Sequence, residues 1–258
     1  MEVLKEMKKV IAVANQKGGV GKTTTAGALI AGLFWEGYKV LGIDLDPQGN
    51  LADSFGAEMY EHPTIYELMK KEVGVKEAIQ NMENFDIISS NIMLAGLEQE
   101  LSQTGKEHRL KEVISPVAEN YDYIIIDTPP SLGILTINAF TFADEIIIPT
   151  TAGIFAANGI KQLYNTVSNV KKYCNPDIKI AGILITMFNP RVNINKQLKE
   201  LTEQLGDRMS IPRYKTSIRS SVMVSEAQAN KVDIFSYSPK STVAEDYKEF
   251  IIEYLQRG

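Results

Sequence analysis

The chain has 258 residues, 44% of them hydrophobic and 23% charged, with a formal net charge of −5. These proportions are those of an ordinary folded domain, and a chain this long buries enough apolar surface to need no disulfide or metal staple. The acidic balance argues against a surface coated in positive charge, although a local basic patch survives that test. One cysteine, Cys174, excludes an intrachain disulfide and fits a reducing compartment.

The amino-terminal stretch MEVLKEMKKVIAVAN carries charges through its first nine residues and has no signal-peptide core. Its apolar run is too short to cross a bilayer. The longest apolar runs elsewhere are strand-length, so no transmembrane helix is expected. Short, continuously apolar runs then recur: VIAVAN (10–15), KVLGIDLD (39–46), FDIISS (85–90), YDYIIIDTPP (121–130), EIIIPTT (145–151) and IAGILITMF (180–188). Runs that do not alternate are strands buried on both faces. Helix-length stretches separate them, among them TTTAGALIAGLFWEG (23–37) and ANGIKQLYNTVSNVKKY (157–173). The alternation predicts a single α/β domain over 1–258, a mostly parallel twisted sheet with helices on both faces. Residues 56–84 and 96–120 read as helix or loop. The end of the chain reads as a surface helix that turns Val243, Tyr247, Phe250, Ile251 and Leu255 inward.

Between the first strand and the first helix stands NQKGGVGKTTT (15–25). Strand, glycine turn and helix N-terminus are the context of a phosphate-binding loop. Gly18, Gly19 and Gly21 let the backbone turn tightly and aim N–H groups at one anion, with Val20 between them. Lys22 would reach the terminal phosphates and the Thr23 hydroxyl would hold Mg²⁺, with Thr24 following in the first helical turn. The pattern G-x-x-x-x-G-K-[ST] needs glycine at 16, where this chain has Gln16 followed by a second lysine, Lys17. A dinucleotide-binding G-x-G-x-x-G fails, because GVGKTT ends on Thr24. Downstream, YIIIDTPPS (123–131) is an apolar strand ending in Asp127, the arrangement in which an aspartate holds Mg²⁺, and Pro129 and Pro130 stop the strand there. GIDLDPQGN (42–50) places Asp44 and Asp46 two apart on one side of another strand end.

The string KGGVGKTTT resembles the deviant Walker A loop of the ParA/MinD group of P-loop ATPases, and DxDPQGN and SLGILTINAFTFADEIIIPTT resemble the segments that follow in that group. The resemblance runs from Lys9 to about Tyr254 and is closest to the short ParA/Soj-type partition ATPases. It implies ATP and Mg²⁺ as cofactors and a homodimer in which Lys17 crosses to the nucleotide of the facing subunit. It also implies that Asp46 orients the attacking water and that Asp44 supports the magnesium site. Asn189 and Pro212 fall where relatives contact adenine. The implied cycle ends in non-specific double-stranded DNA binding by the ATP-bound dimer and slow hydrolysis stimulated by a ParB-type centromere-binding protein. The implied setting is a cytoplasmic, nucleoid-associated one in a bacterium or archaeon. With the first strand starting so early, no helix-turn-helix domain precedes it in this reading.

The charges bear on that choice. Residues 186–222 hold Arg191, Lys196, Lys199, Arg208, Arg213, Lys215 and Arg219 against Glu200, Glu203 and Asp207, a segment of +4 within a chain of −5. Such a patch binds phosphates without reading sequence. TMFNPRVN matches the family segment whose DNA-contacting arginine falls on Arg191. The later motif departs, with Met223 where the family has arginine, so Lys215 or Arg219 is expected to take its place. A MinD-like positioning ATPase, acting on a membrane or protein partner, is the alternative. Its membrane form needs a basic terminal helix, whereas Glu245, Asp246, Glu249 and Glu253 here outnumber Lys248 and Arg257. Cysteine pairs for an iron–sulfur cluster are missing, His62 and His108 read as too isolated for a metal site, and Cys174 reads as an incidental thiol.

Overall fold

The computed structural model describes residues 9–101, 104–152 and 156–257; the side chains of 98, 99, 156, 157, 194–196, 198, 199, 201, 203 and 205 also lie outside the described set. Its strands are β1 (Lys9–Val13), β2 (Val40–Asp44), β3 (Ile79–Asn81), β4 (Asp86–Ile88), β5 (Tyr123–Asp127), β6 (Glu145–Thr151), β7 (Lys179–Phe188) and β8 (Arg213–Arg219). They form one sheet in the order β3-β4-β2-β5-β1-β6-β7-β8. Every pairing is parallel except β3 against β4.

The helices are α1 (Lys22–Trp35), α2 (Asn50–Phe55), α3 (Ile65–Lys70), α4 (Val75–Ala78), α5 (Leu97–Glu100), α6 (Arg109–Ala118), α7 (Ile134–Phe142), α8 (Ala156–Tyr173), α9 (Asn193–Arg208), α10 (Met223–Ala229), α11 (Ile234–Tyr237) and α12 (Thr242–Leu255). Side chains alternate across a strand, so the unbroken apolar runs feed two cores. Val10, Ala12, Ile124 and Ile126 pack one face with Leu110, Ile114, Phe140 and Leu163. Ile11, Val13 and Ile125 pack the other with Leu29, Ile30, Tyr247 and Phe250. The last helix buries Val243, Tyr247, Phe250 and Ile251 as its pattern predicts, with Leu255 partly buried beside them.

Two strands escape the sequence reading. β3 is only three residues long and pairs antiparallel at one edge. β8, RYKTSIR, lies at the other edge, with Tyr214 and Ile218 buried between more exposed polar residues. An edge strand carries charge outward, so the stretch reads by composition as a basic patch before it reads as a strand.

Register fixes the functional end of the sheet. Asp127 stands opposite Val13 on one side and opposite Asp44 on the other. The strand order changes direction about β1, and ligands of open α/β sheets bind at the carboxyl ends of strands at such a switch. α1 begins there and crosses the sheet against α12. A Cβ on Gly32 would lie 2.1 Å from Ile251 Cδ1 and about 3.2 Å from the Phe235 ring, so only glycine lets these helices approach so closely. Gly32→Val is expected to destabilise the fold by about 1–3 kcal/mol through overpacking, read as a lower urea midpoint at unchanged m-value. An unchanged midpoint would refute this packing.

Candidate nucleotide-binding site

The loop after β1 is held by side chains on either side of it. Asn15, 3% exposed, donates from Nδ2 to the Pro149 carbonyl at 2.8 Å and accepts the Lys17 N–H on Oδ1 at 3.0 Å. Thr186, buried on β7, donates its hydroxyl to the Val20 carbonyl at 2.8 Å. Between these anchors Gly19 (φ 68°) and Gly21 (φ 78°) take left-handed conformations that L side chains resist. Gly21 opens α1 without a side-chain cap, so the first-turn N–H groups are left for an anion.

Gly18, Gly19, Gly21, Lys22, Thr23, Thr24 and Asp46 line one cleft of about 520 Å³. That volume suits a small-molecule ligand. Val20 instead turns inward under the loop, 1% exposed. Lys17 is exposed and outside the cleft lining, while its carbonyl accepts the Lys22 ammonium at 3.4 Å. Burial pushes the Lys22 pKa down, and the charges of Asp127 and Asp46 push it back up.

Three acids face this lysine from two strand ends. Asp127 is wholly buried and neither of its oxygens has a hydrogen-bond partner among the described residues. Burial raises its pKa well above the usual carboxylate range and neighbouring Asp44 adds to that, against the pull of the Thr23 hydroxyl and Lys22. An orphaned buried carboxylate beside a threonine hydroxyl is an oxygen donor set suited to a hard divalent cation. Asp44 is also wholly buried, but its oxygens accept the Asp46 N–H at 3.1 Å and the Ala52 N–H at 2.9 Å. It therefore ties down the turn that carries Asp46 and the start of α2. Burial outweighs those bonds and sets its pKa at about 7. Asp46, 9% exposed, accepts the Gln48 N–H and lies at the cleft wall.

Other expected residues fall elsewhere. Pro212 is exposed just before β8, and its carbonyl accepts the Ile183 N–H. β8 runs parallel to β7, so Pro212 stands at the strand end away from Thr186 and the loop, which corrects its placement as an adenine contact. Asn189 is exposed, spends its side-chain carbonyl on the Arg191 N–H, and does not line the cleft. That wall comes from Met187, Gln228 and Ala229, with Asn50, Asp53, Ser54 and Pro130 nearby. Met187 has φ 51° and is 48% exposed, a strained backbone of the kind that collects at functional sites. Asn50, Asp53 and Ser54 directly follow the DPQG turn and were findable there; Gln228 and Ala229 carry no local signal.

The basic patch divides. Arg191 and Lys215 are exposed. Arg219 is spent: its Nη2 and Nε donate to the 5%-exposed Asp246 carboxylate at 2.6–3.0 Å, and it reaches the Thr242 carbonyl at 3.2 Å. This pairing ties Arg219 to the last helix, with 39% of its side chain still exposed. Arg213 likewise pairs with Asp207, and Glu253 accepts the Lys215 and Thr216 N–H groups. No described helix is long and apolar enough to cross a membrane.

The family model of the AAA domain matches residues 8–180. The sporulation initiation inhibitor protein Soj of Bacillus subtilis is 42% identical over 98% of this chain and 100% of its own. The chromosome partitioning protein ParA of Myxococcus xanthus is 37% identical over 96% of this chain and 88% of its own. A Mycobacterium smegmatis structure named cobyrinic acid a,c-diamide synthase, with bound ADP and magnesium, superposes with a TM-score of 0.85 at 34% identity, covering 97% of this chain and 95% of that one. The cleft, the acids behind it and these likenesses together place the chain in the ParA/Soj family of P-loop ATPases.

Proposed function

We propose that the chain is a partition ATPase that dimerises around ATP and Mg²⁺, binds DNA non-specifically in that state, and segregates plasmid or chromosomal DNA with a ParB-type partner. One observation carries the reading: two loop lysines stand in different surroundings, Lys22 buried near the acids and Lys17 exposed and outside the lining of its own cleft. A protomer needs only the first to hold its nucleotide. The second would meet the nucleotide of a facing copy, where a further cation offsets charge gathered in phosphoryl transfer.

In this scheme the loop N–H groups of residues 18–24 and the Lys22 ammonium hold the phosphates. The Thr23 hydroxyl and Asp127 hold Mg²⁺, with Asp44 fixing the turn behind them. The metal held there would supply positive charge to offset that of the phosphates. Asp46, on the cleft wall, positions the attacking water. The γ-phosphate must favour the closed dimer over the open one, since a ligand with equal affinity for both shifts nothing. DNA then meets Arg191 and Lys215 on the dimer, in a cytoplasmic, nucleoid-associated setting.

A positioning ATPase that acts on a protein partner is the second reading. The pairing of Arg213 and Arg219 with acids favours it, because that leaves less free positive charge for DNA than the chain's basic segment contains.

Two measurements test the scheme. Asp46→Ala should keep ATP binding but lower turnover by about 10²-fold, whereas Lys22→Ala should lose nucleotide affinity itself; full hydrolysis by the Asp46 variant would refute the water-positioning role. Binding to random-sequence duplex DNA should appear only with ATP and fall steeply with salt. Arg191→Glu should weaken it about tenfold and flatten the salt slope. Binding in no nucleotide state would transfer the proposal to the protein partner.

A further inference from the structure

Outside the cleft, the fold gathers three metal-ligating side chains that look unrelated in sequence. A carboxylate oxygen of Glu107, a ring nitrogen of His108 and the sulfur of Cys174 all lie within 4.8 Å of one another. This corrects the expectation that His108 is isolated and Cys174 incidental. We propose that these residues form a transition-metal site for a zinc-like cation, joining the entry to α6 to the end of α8.

The two turns that carry the ligands are both fastened to α7. Asn138 on α7 is wholly buried. Its Nδ2 donates to the Lys106 carbonyl at 2.9 Å and its Oδ1 accepts the Leu110 N–H at 2.9 Å, which brackets Glu107 and His108. On the other side Asn175 donates from Nδ2 to the Phe140 carbonyl at 3.0 Å and the Ala143 carbonyl at 2.7 Å, which fixes the residue next to Cys174. The N–H groups of Cys174 and Asn175 both donate to the Val170 carbonyl at 2.8 Å. One helix therefore sets the separation of the ligands before any ion arrives, the kind of outer support that holds metal ligands in place.

Distance and chemistry agree. In a tetrahedral zinc site with bonds of about 2.0–2.3 Å, neighbouring ligand atoms stand ~3.5 Å apart. A spacing of at most 4.8 Å calls for a closure of about 1 Å by the side chains. Thiolate, imidazole and carboxylate suit zinc and its neighbours, whereas Mg²⁺ takes an all-oxygen octahedron. None of the three residues lines the nucleotide cleft, so the two metal chemistries are separable. Occupation would clip α6 to α8 across α7 and add binding free energy to folding.

The test uses the reduced chain in excess Mg²⁺, which occupies all-oxygen sites. Titration with Co²⁺ should raise a thiolate-to-cobalt charge-transfer band that one equivalent of Zn²⁺ displaces. Competition with a chromophoric chelator then gives Zn²⁺ affinity. Cys174→Ser should abolish the band and weaken Zn²⁺ binding at least tenfold. His108→Ala, an exposed change that spares the fold, should weaken it by a similar factor and remove the Zn²⁺-dependent rise in Tm. Absence of the band in the wild type, or a Zn²⁺ affinity in both variants unchanged from that of the wild type, would overturn the site.

Discussion

Asp44 and Asp127 stand opposite each other on adjacent strands, both wholly buried. Two carboxylates in that position repel each other and have lost their water, so the charged form of either is costly without a cation. The sheet offers two remedies. The Asp46 N–H in the following turn and the Ala52 N–H at the start of α2 satisfy Asp44, and the Lys22 ammonium lies near Asp127. Asp127 still has both oxygens without a hydrogen bond. The strand end is electrostatically unfinished, and a divalent ion brought in with phosphates is the charge that completes it. Loop, helix dipole and acids are thus parts of one arrangement that is at ease only when loaded.

The same register explains how much of the molecule was legible in the sequence. Six strands announce themselves because burial on both faces leaves a continuously apolar stretch at the centre of each, with polar residues confined to the ends. Motifs at the ends of such strands inherit their position, which is why Lys22, Thr23, Asp46 and Asp127 converge as expected. Legibility fails where structure is held by distant pairings. Asn15 and Thr186 brace the phosphate loop through single hydrogen bonds to Pro149 and Val20, and nothing local marks either as a brace. Gln228 and Ala229 reach the cleft only because α10 follows an edge strand whose charged, alternating sequence hides it. Pro212 was misplaced for the same reason: without β8, nothing shows that it lies before the strand and not after it.

Charge counting fails in a related way. The segment 186–222 is basic along the chain, but α12 lies across β8 and brings acids to it. Asp246 takes both sides of the Arg219 guanidinium, and Glu253 takes N–H groups of the strand as well as Arg257. A bidentate pair with one partner buried is a tether, and removing Asp246 would leave the arginine and the strand N–H it serves unmatched. Those arginines therefore hold the edge strand to the last helix. Among the segment's described basic side chains, Arg191 on the turn after β7, Arg208 and Lys215 stay exposed without a pairing to those acids.

That turn and the phosphate loop meet on one strand. β7 supplies Thr186, which holds the Val20 carbonyl, then the strained Met187 at the cleft wall, and three residues beyond Phe188 it reaches Arg191. A switch needs an element that both sites can bias. Met187 is held in a left-handed conformation that costs on the order of 1 kcal/mol for a non-glycine residue, and it touches the space where a nucleotide would sit. Met187 thus joins the cleft wall to the turn that bears Arg191 through consecutive residues of one strand end. Lys17, the second lysine of the loop, is exposed and does not line the cleft, although its carbonyl accepts the Lys22 ammonium within the loop.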